Sequence, residues 1–146
     1  MNEMLGTPAA VCGSNDIRCL ATRSSPTIVC IDDDAEIARI WQMRLSRYGV
    51  NVVCAANGED GFSAAVEKRP DLILLDLCMP GQDGRQVLAR LRHHPTTKKI
   101  PVLMLTGDAF SARRHTSREQ ADDYLSKPLN FGQLLEKLQA YIPLGS

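Results

Sequence analysis

The sequence predicts an α/β fold, a parallel sheet with helices on both faces. Three observations carry that expectation. From residue 27 onward, short apolar runs alternate with helix-periodic stretches five times. The run from Leu72 to Leu75 is apolar throughout, as suits a central strand buried on both sides. The runs also end in polar groups, namely Asp32-Asp33-Asp34, Asp76 and Thr106, with Lys127 closing the last. In a parallel sheet those ends share one edge, where ligands bind.

The elements follow in order. Residues 27–31 read as a buried strand. A helix is predicted over 34–48, with Ile37, Ile40, Trp41, Leu45 and Tyr48 on its inner face, and Gly49 ends it. Residues 50–55 form a second strand, and Asn57-Gly58 a turn. The second helix covers 59–68, with Phe62, Ala65 and Val66 inward, and Pro70 stops it. The third strand is 72–76, and the segment from Met79 to Gly84 reads as a loop. A third helix over 85–93 turns Val87, Leu88 and Leu91 inward. The fourth strand is 100–105, and a polar fourth helix covers 111–120. A short strand over 124–126 precedes a last helix over 131–141, which buries Phe131, Leu134, Leu135, Leu138 and Tyr141.

Residues 1–26 differ from the rest. Gly, Pro, Ser and Asn are frequent there and periodicity is weak, so a loosely structured extension is expected. Residues 27–142 form one domain, and 143–146 a short tail. The 146 residues suffice for a single core. A net charge of zero gives no electrostatic pull toward nucleic acid or anionic lipid. Five cysteines, Cys12, Cys19, Cys30, Cys54 and Cys78, show no metal-binding spacing and point to reduced thiols in a cytoplasmic setting. Cys30 and Cys54 lie in apolar runs and are expected in the core. The first twenty residues hold no long apolar stretch and only one basic residue, Arg18, which argues against a signal peptide. No apolar run reaches membrane-spanning length.

The predicted sheet edge gathers Asp32, Asp33, Asp76, Thr106 and Lys127. One aspartate before a helix is explained by capping and by the helix dipole. Three in a row are not. Carboxylates about 4 Å apart repel by roughly 4 kcal/mol per pair at an effective dielectric near 20. Adding Asp76 calls for a cation, and oxygen-only ligands select Mg²⁺, or Mn²⁺ in its place. Asp76 is the candidate nucleophile, since a carboxylate can attack a phosphoryl group and form an acyl phosphate. The Thr106 hydroxyl is placed to donate to a phosphoryl oxygen, and the Lys127 ammonium to pair first with Asp76 and then with the phosphoryl group. Taken singly, Thr106 is an ordinary strand former and Lys127 an ordinary solvated side chain. His93 and His94 sit at a helix C-terminus, where a cation complements the dipole. His115 has no acidic neighbour to orient it, so none of the three reads as a phosphodonor.

Four segments, in this order, resemble the receiver domains of two-component response regulators. They are Ile-Val-Cys-Ile-Asp-Asp-Asp at 28–34, Leu-Asp-Leu-Cys-Met-Pro-Gly-Gln-Asp-Gly at 75–84, Pro-Val-Leu-Met-Leu-Thr at 101–106, and Asp-Tyr-Leu-Ser-Lys-Pro at 123–128. The resemblance implies a flavodoxin-like, doubly wound sheet of five parallel strands in the order 2-1-3-4-5, with five helices. It implies that Asp76 is the phosphoacceptor. Asp33 and Asp76 would bind Mg²⁺ directly, Asp32 through water, and Cys78 through its backbone carbonyl. Thr106 and Lys127 would sense the phosphoryl group, and Tyr124 would turn inward as Thr106 moves. Cys78 and Asp108, two residues after Asp76 and Thr106, would border the path of the hydrolytic water.

The implied function is a signalling switch rather than a turnover enzyme. Its phosphoryl group would come from a histidine kinase or a histidine phosphotransfer protein. Its output would be a downstream protein or a second copy, bound through the face of the fourth helix, fifth strand and fifth helix. No direct contact with nucleic acid or membrane is expected, nor a DNA-binding domain after Tyr141 within this sequence, which is expected to be either a stand-alone regulator or a receiver cut from a hybrid kinase or longer regulator. The chain departs from the family in a spacing from Thr106 to Lys127 about one residue short, in Gln120 where glycine is common, and in a fourth helix carrying Arg113, Arg114, His115 and Arg118.

Three other functions fit these residues less well. A haloacid-dehalogenase-type Mg²⁺ phosphatase needs a second aspartate where Cys78 stands, and its acidic pair follows the nucleophile rather than preceding it. A flavin binder needs a phosphate loop after the first strand, where three carboxylates would repel the ligand. A receiver-like module regulated without phosphorylation would not need every one of these site residues.

Overall fold

The computed structural model describes residues 25–107, 121–127 and 130–144. The expected extension up to residue 24, the helix over 111–120 and Asp108 lie outside these. Five strands form one parallel sheet: β1 (Thr27–Ile31), β2 (Asn51–Ala55), β3 (Leu72–Asp76), β6 (Val102–Thr106) and β7 (Asp123–Ser126). Their order is β2-β1-β3-β6-β7, the predicted order with two short strands interposed in the numbering. Those two, β4 (Cys78–Met79) and β5 (Gln82–Asp83), form an antiparallel hairpin where the sequence predicts a loop. Gly81 adopts the left-handed φ of 71° within the tight reversal after Pro80.

Four helices are seen among the described residues: α1 (Ala35–Ser46), α2 (Gly58–Lys68), α3 (Gly84–His93) and α4 (Phe131–Gln139). Each begins at an Asp or Asn whose side chain accepts from a first-turn backbone N–H. Alternate residues of each strand then meet opposite layers. Ile28, Cys30, Leu72, Leu74, Leu103 and Leu105 pack with Trp41 and Leu45 of α1 and Leu134 and Leu138 of α4. Val29, Ile31, Ile73, Leu75, Val102 and Met104 pack with Ala65 of α2 and with Val87, Leu88 and Leu91 of α3. Both faces of β3 are therefore filled, which is why its sequence is continuously apolar.

Local expectations change in five places. Asn57-Gly58 is not a free turn: Asn57 caps α2, and Gly58 is its first residue. The helix α2 ends on Arg69 in a left-handed conformation (φ 47°), one residue before Pro70. On α1 the buried stripe is Ala38, Trp41 and Leu45, so Ile40 is 42% exposed, and α4 stops short of the 36% exposed Tyr141. Cys54 is exposed, because β2 is an edge strand and offers less cover than β1 does to Cys30.

Candidate functional site

The carboxyl ends of β1, β3, β6 and β7 bring the predicted residues to one place. Asp32 immediately follows β1, and its backbone N–H donates to the Ala55 carbonyl at 3.0 Å, extending the β1–β2 ladder by one bond. Its side chain is only 3% exposed, and Oδ1 accepts from the Asp34 N–H at 2.9 Å. Asp34 itself is spent on capping α1, through the N–H groups of Glu36 and Ile37. Asp33, between them, is exposed. One triplet thus divides into a buried acceptor, an open carboxylate and a helix cap.

Asp76 ends β3 and is 2% exposed. Its Oδ1 accepts from the Cys78 N–H at 3.1 Å, and Oδ2 meets Lys127 Nζ at 3.0 Å. Lys127 reaches it because its own N–H is tied to the Thr106 carbonyl at 2.8 Å, one step beyond the Thr106–Ser126 pairing of β6 and β7. Oxygen atoms of Asp32, Asp33 and Asp76 all lie within 4.8 Å of one another. Thr106 is buried at the same edge. Gly84 makes the close fit of the hairpin possible: a Cβ there would lie 2.6 Å from the Asp76 carbonyl oxygen and 2.7 Å from Leu77 Cα.

The electrostatics follow from burial and crowding. Burial, with the nearby Asp76 charge, raises the Asp32 carboxyl from 3.8 to about 6, against the lowering pull of the Asp34 N–H and of Lys127. Burial works against the charge on Lys127, yet its bond to Asp76 and the charges of Asp76, Asp32 and Asp33 leave its pKa raised. Three carboxylates facing one ammonium make a net negative, all-oxygen pocket. That donor set fits a hard divalent cation.

Tyr124 is buried on the α2–α3 side of the sheet, and its hydroxyl accepts from the Ala121 N–H at 3.4 Å. The ring is therefore already inward while Lys127 holds Asp76. Cys78 is exposed beside the site.

The sequence reading missed two features. The acidic cluster lines a cavity of about 500 Å³ that is also lined by Ile37, Ile40, Trp41, Arg44 and Phe131. Trp41 and Phe131 stack at 5.8 Å, and the Arg44 guanidinium lies 3.9 Å from the centre of the Phe131 ring. Their spacing along α1 and α4 is that of ordinary core residues, so the sequence carried no signal beyond helical periodicity. The second feature is Gln82, whose Oε1 accepts from the Gly58 N–H at 2.7 Å and pins the hairpin to the start of α2.

The geometry is that of a doubly wound α/β domain with an acidic cluster at the carboxyl edge of its five-stranded sheet. The chain belongs to the response regulator receiver domain family, whose model matches residues 28–139. It is 39% identical over 118 residues to the DNA-binding dual master transcriptional regulator RpaA of Synechocystis, a match covering 80% of this chain and 49% of that protein. The chain spans about half the length of the curated relatives it matches. Among solved structures, the chemotaxis protein CheY4 of Vibrio cholerae superposes with a TM-score of 0.75 at 28% identity, over 81% of this chain and 99% of that one. The receiver domain of the sensor histidine kinase PA1611 of Pseudomonas aeruginosa, solved with a magnesium ion in its active-site cleft, gives 0.72 at 25% identity, over 80% and 97%.

Proposed function

We propose that the chain is the phosphoacceptor receiver of a two-component or phosphorelay system. Asp76 takes a phosphoryl group from the phosphohistidine of a histidine kinase or a histidine phosphotransfer protein. The observation that carries this reading is the buried Asp76 carboxylate held at 3.0 Å by Lys127, beside two further aspartates whose oxygens lie within 4.8 Å. An Asp76 oxygen attacks phosphorus, the P–N bond to histidine breaks, and the acyl phosphate remains on Asp76. Lys127 then follows the charge from the carboxylate to the phosphoryl oxygens, and the Thr106 hydroxyl donates to one of them.

Asp33 and Asp76 would hold Mg²⁺ or Mn²⁺ directly, Asp32 through water, and Cys78 through its carbonyl. The ion supplies charge neutralisation at the phosphoryl oxygens. The magnesium found in the PA1611 receiver supports that assignment. The switch is binding, not turnover. A new charge of about −1.5 to −2 draws Thr106 and Lys127 toward Asp76 and changes the face of β7 and α4, which engages a downstream protein or a second copy. RpaA is described as DNA-binding, and the alignment covers about half of it. In this chain, residues 28–139 act through protein contacts in the cytoplasm. No helix of the described residues is long and apolar enough to cross a membrane.

Intact mass after incubation with acetyl phosphate and Mg²⁺ tests the assignment. One phosphoryl group should be added, none in Asp76→Asn, and much less in Asp33→Ala. Labelling that persists in Asp76→Asn would exclude Asp76 as the acceptor.

A further inference from the structure

Gln82 joins two segments that are far apart in sequence. Its Oε1 accepts from the Gly58 N–H at 2.7 Å, across 24 positions. Gly58 is the first residue of α2, so its N–H is among those a helix leaves without an internal partner. Asn57 caps a different one, the Asp60 N–H at 2.8 Å. Gln82 is thus a second cap on α2, supplied by the hairpin that follows Asp76.

We propose that Gln82 is a positioning residue for the phosphoryl site: its bond to Gly58 anchors the hairpin of β4 and β5 on α2 and so holds the Cys78 backbone against Asp76. The inference rests on the phosphoacceptor reading and names a further residue on which that site depends.

Three observations support it. First, the hairpin carries the peptide group that touches the nucleophile. It pairs Cys78 with Asp83 and Met79 with Gln82. The Cys78 N–H donates to Asp76 Oδ1 at 3.1 Å, while Lys127 holds Oδ2 at 3.0 Å. A carboxylate fixed at both oxygens keeps one orientation toward a cation or a phosphorus atom. The Cys78 carbonyl, proposed as a ligand of the cation, belongs to the same residue.

Second, the other backbone ties lie at the base of the hairpin. The Leu77 N–H donates to the Leu105 carbonyl, and the Gly84 N–H to the Leu77 carbonyl, both at 2.8 Å. The outer pair is Met79 and Gln82. Met79 is buried in the layer of α2 and α3. Apolar packing has no direction, whereas a short hydrogen bond does. Gln82 therefore sets the angle at which the outer end meets α2, and Cys78 lies between the two anchors.

Third, the contact is closely fitted on both sides. A Cβ on Gly58 would lie 2.7 Å from Gln82 Nε2 and 2.8 Å from its Cδ. The Gln82 amide thus occupies space that any residue other than glycine at 58 would fill.

The test uses the full chain and two readouts: Mg²⁺ affinity by calorimetry, and amide exchange at Cys78 in EDTA. Gln82→Met keeps the bulk of the side chain and removes the acceptor. It should weaken Mg²⁺ binding about tenfold, as loss of a group that supports a ligand does. Exchange at Cys78 should quicken by a larger factor than at Leu74 in the core of β3. Gln82→Asn has the same amide on a shorter side chain and should behave like Gln82→Met. Gln82→Glu keeps an acceptor of equal reach and should return Cys78 exchange to the wild-type rate. Thr97→Val removes a buried bond at the far end of α3, from Oγ1 to the Leu91 carbonyl at 2.7 Å, and serves as the control. It should lower stability and leave Mg²⁺ affinity unchanged. Mg²⁺ affinity within about twofold of wild type in Gln82→Met, or an equal loss in Thr97→Val, overturns the inference. So does Cys78 exchange that quickens no more than Leu74 exchange, which is what a merely structural anchor would give. Wild-type chain that binds Mg²⁺ and is labelled at Asp76, with Gln82→Met unaffected, sinks this inference alone. Wild-type chain that does neither sinks it together with the phosphoacceptor reading.

Discussion

The buried Asp32 carboxyl should make the metal-free protein less stable at neutral pH than in mild acid. Its pKa stands at about 6 in the folded chain against an ordinary 3.8. The sign follows from linkage. A carboxyl whose folded pKa is raised is harder to ionise in the folded state, so it destabilises the fold wherever it is charged. The penalty is complete above about pH 6 and disappears as pH falls from 6 toward 4. At about 1.4 kcal/mol per tenfold change in proton affinity, it amounts to roughly 2–3 kcal/mol. That is a large share of a stability of about 5–15 kcal/mol. Asp33, Asp76 and Lys127 face the same group, so the transition will be broad. Asp32→Asn removes the charge and keeps an oxygen for the Asp34 N–H. Urea unfolding in EDTA should therefore find this variant about 2 kcal/mol more stable than wild type at pH 7.5. The difference should shrink at pH 5. Saturating Mg²⁺ should abolish or reverse it, because the cation stabilises only the charged site. Equal stability at pH 7.5 in EDTA, with parallel pH profiles, would refute the reasoning.

Other substitutions probe the supports of the site. Gly84→Ala places a Cβ 2.6 Å from the Asp76 carbonyl oxygen and 2.7 Å from Leu77 Cα, neither of which can give way cheaply. It should cost about 1–3 kcal/mol in urea unfolding and slow Asp76 labelling. Gln82→Ala deprives the Gly58 N–H of its acceptor, and amide exchange at Gly58 should quicken as stability falls by about 1 kcal/mol. Cys78 and Asp108 are proposed to border the path of the hydrolytic water. Replacing both with bulky residues should change the dephosphorylation rate, followed by loss of mass, more than the rate of labelling. Unchanged hydrolysis would rule out that role.

The sheet and the five central site residues were legible in the sequence for one reason. A parallel strand covered on both faces must be apolar along its length, so its first polar residue marks the edge. Asp32, Asp76 and Thr106 announce themselves in that way, and Lys127 follows the last strand. Details set by neighbours were not legible. Asn57-Gly58 carries the usual signal of a turn, yet the glycine opens α2, where a Cβ would lie 2.5 Å from Val87 and 2.7 Å from Gln82. The hairpin of β4 and β5 has two residues per strand, too few for any period to show. Cys54 reads as core from its run of neighbours, but only its place in the edge strand decides its exposure. Ile40 misleads similarly, because the buried stripe of α1 is centred one position away on Ala38, Trp41 and Leu45.

The same ladder that positions the site also limits how a signal can leave it. Thr106 is paired with Ser126, and its carbonyl holds the Lys127 N–H at 2.8 Å. Tyr124 is paired with Met104 one turn of the pleat earlier. A phosphoryl group on Asp76 therefore cannot drag the end of β6 far without breaking ladder bonds at about 1 kcal/mol each. The cheaper movement in the proposed switch would be in side chains: the Lys127 ammonium leaving Asp76, and the Thr106 hydroxyl turning toward the new oxygens. On the proposed reading Tyr124, buried on the α2–α3 face, would respond to altered packing rather than to a shifted backbone. The proposed switch would need two side-chain arrangements of one rigid edge, with partner affinity that differs between them.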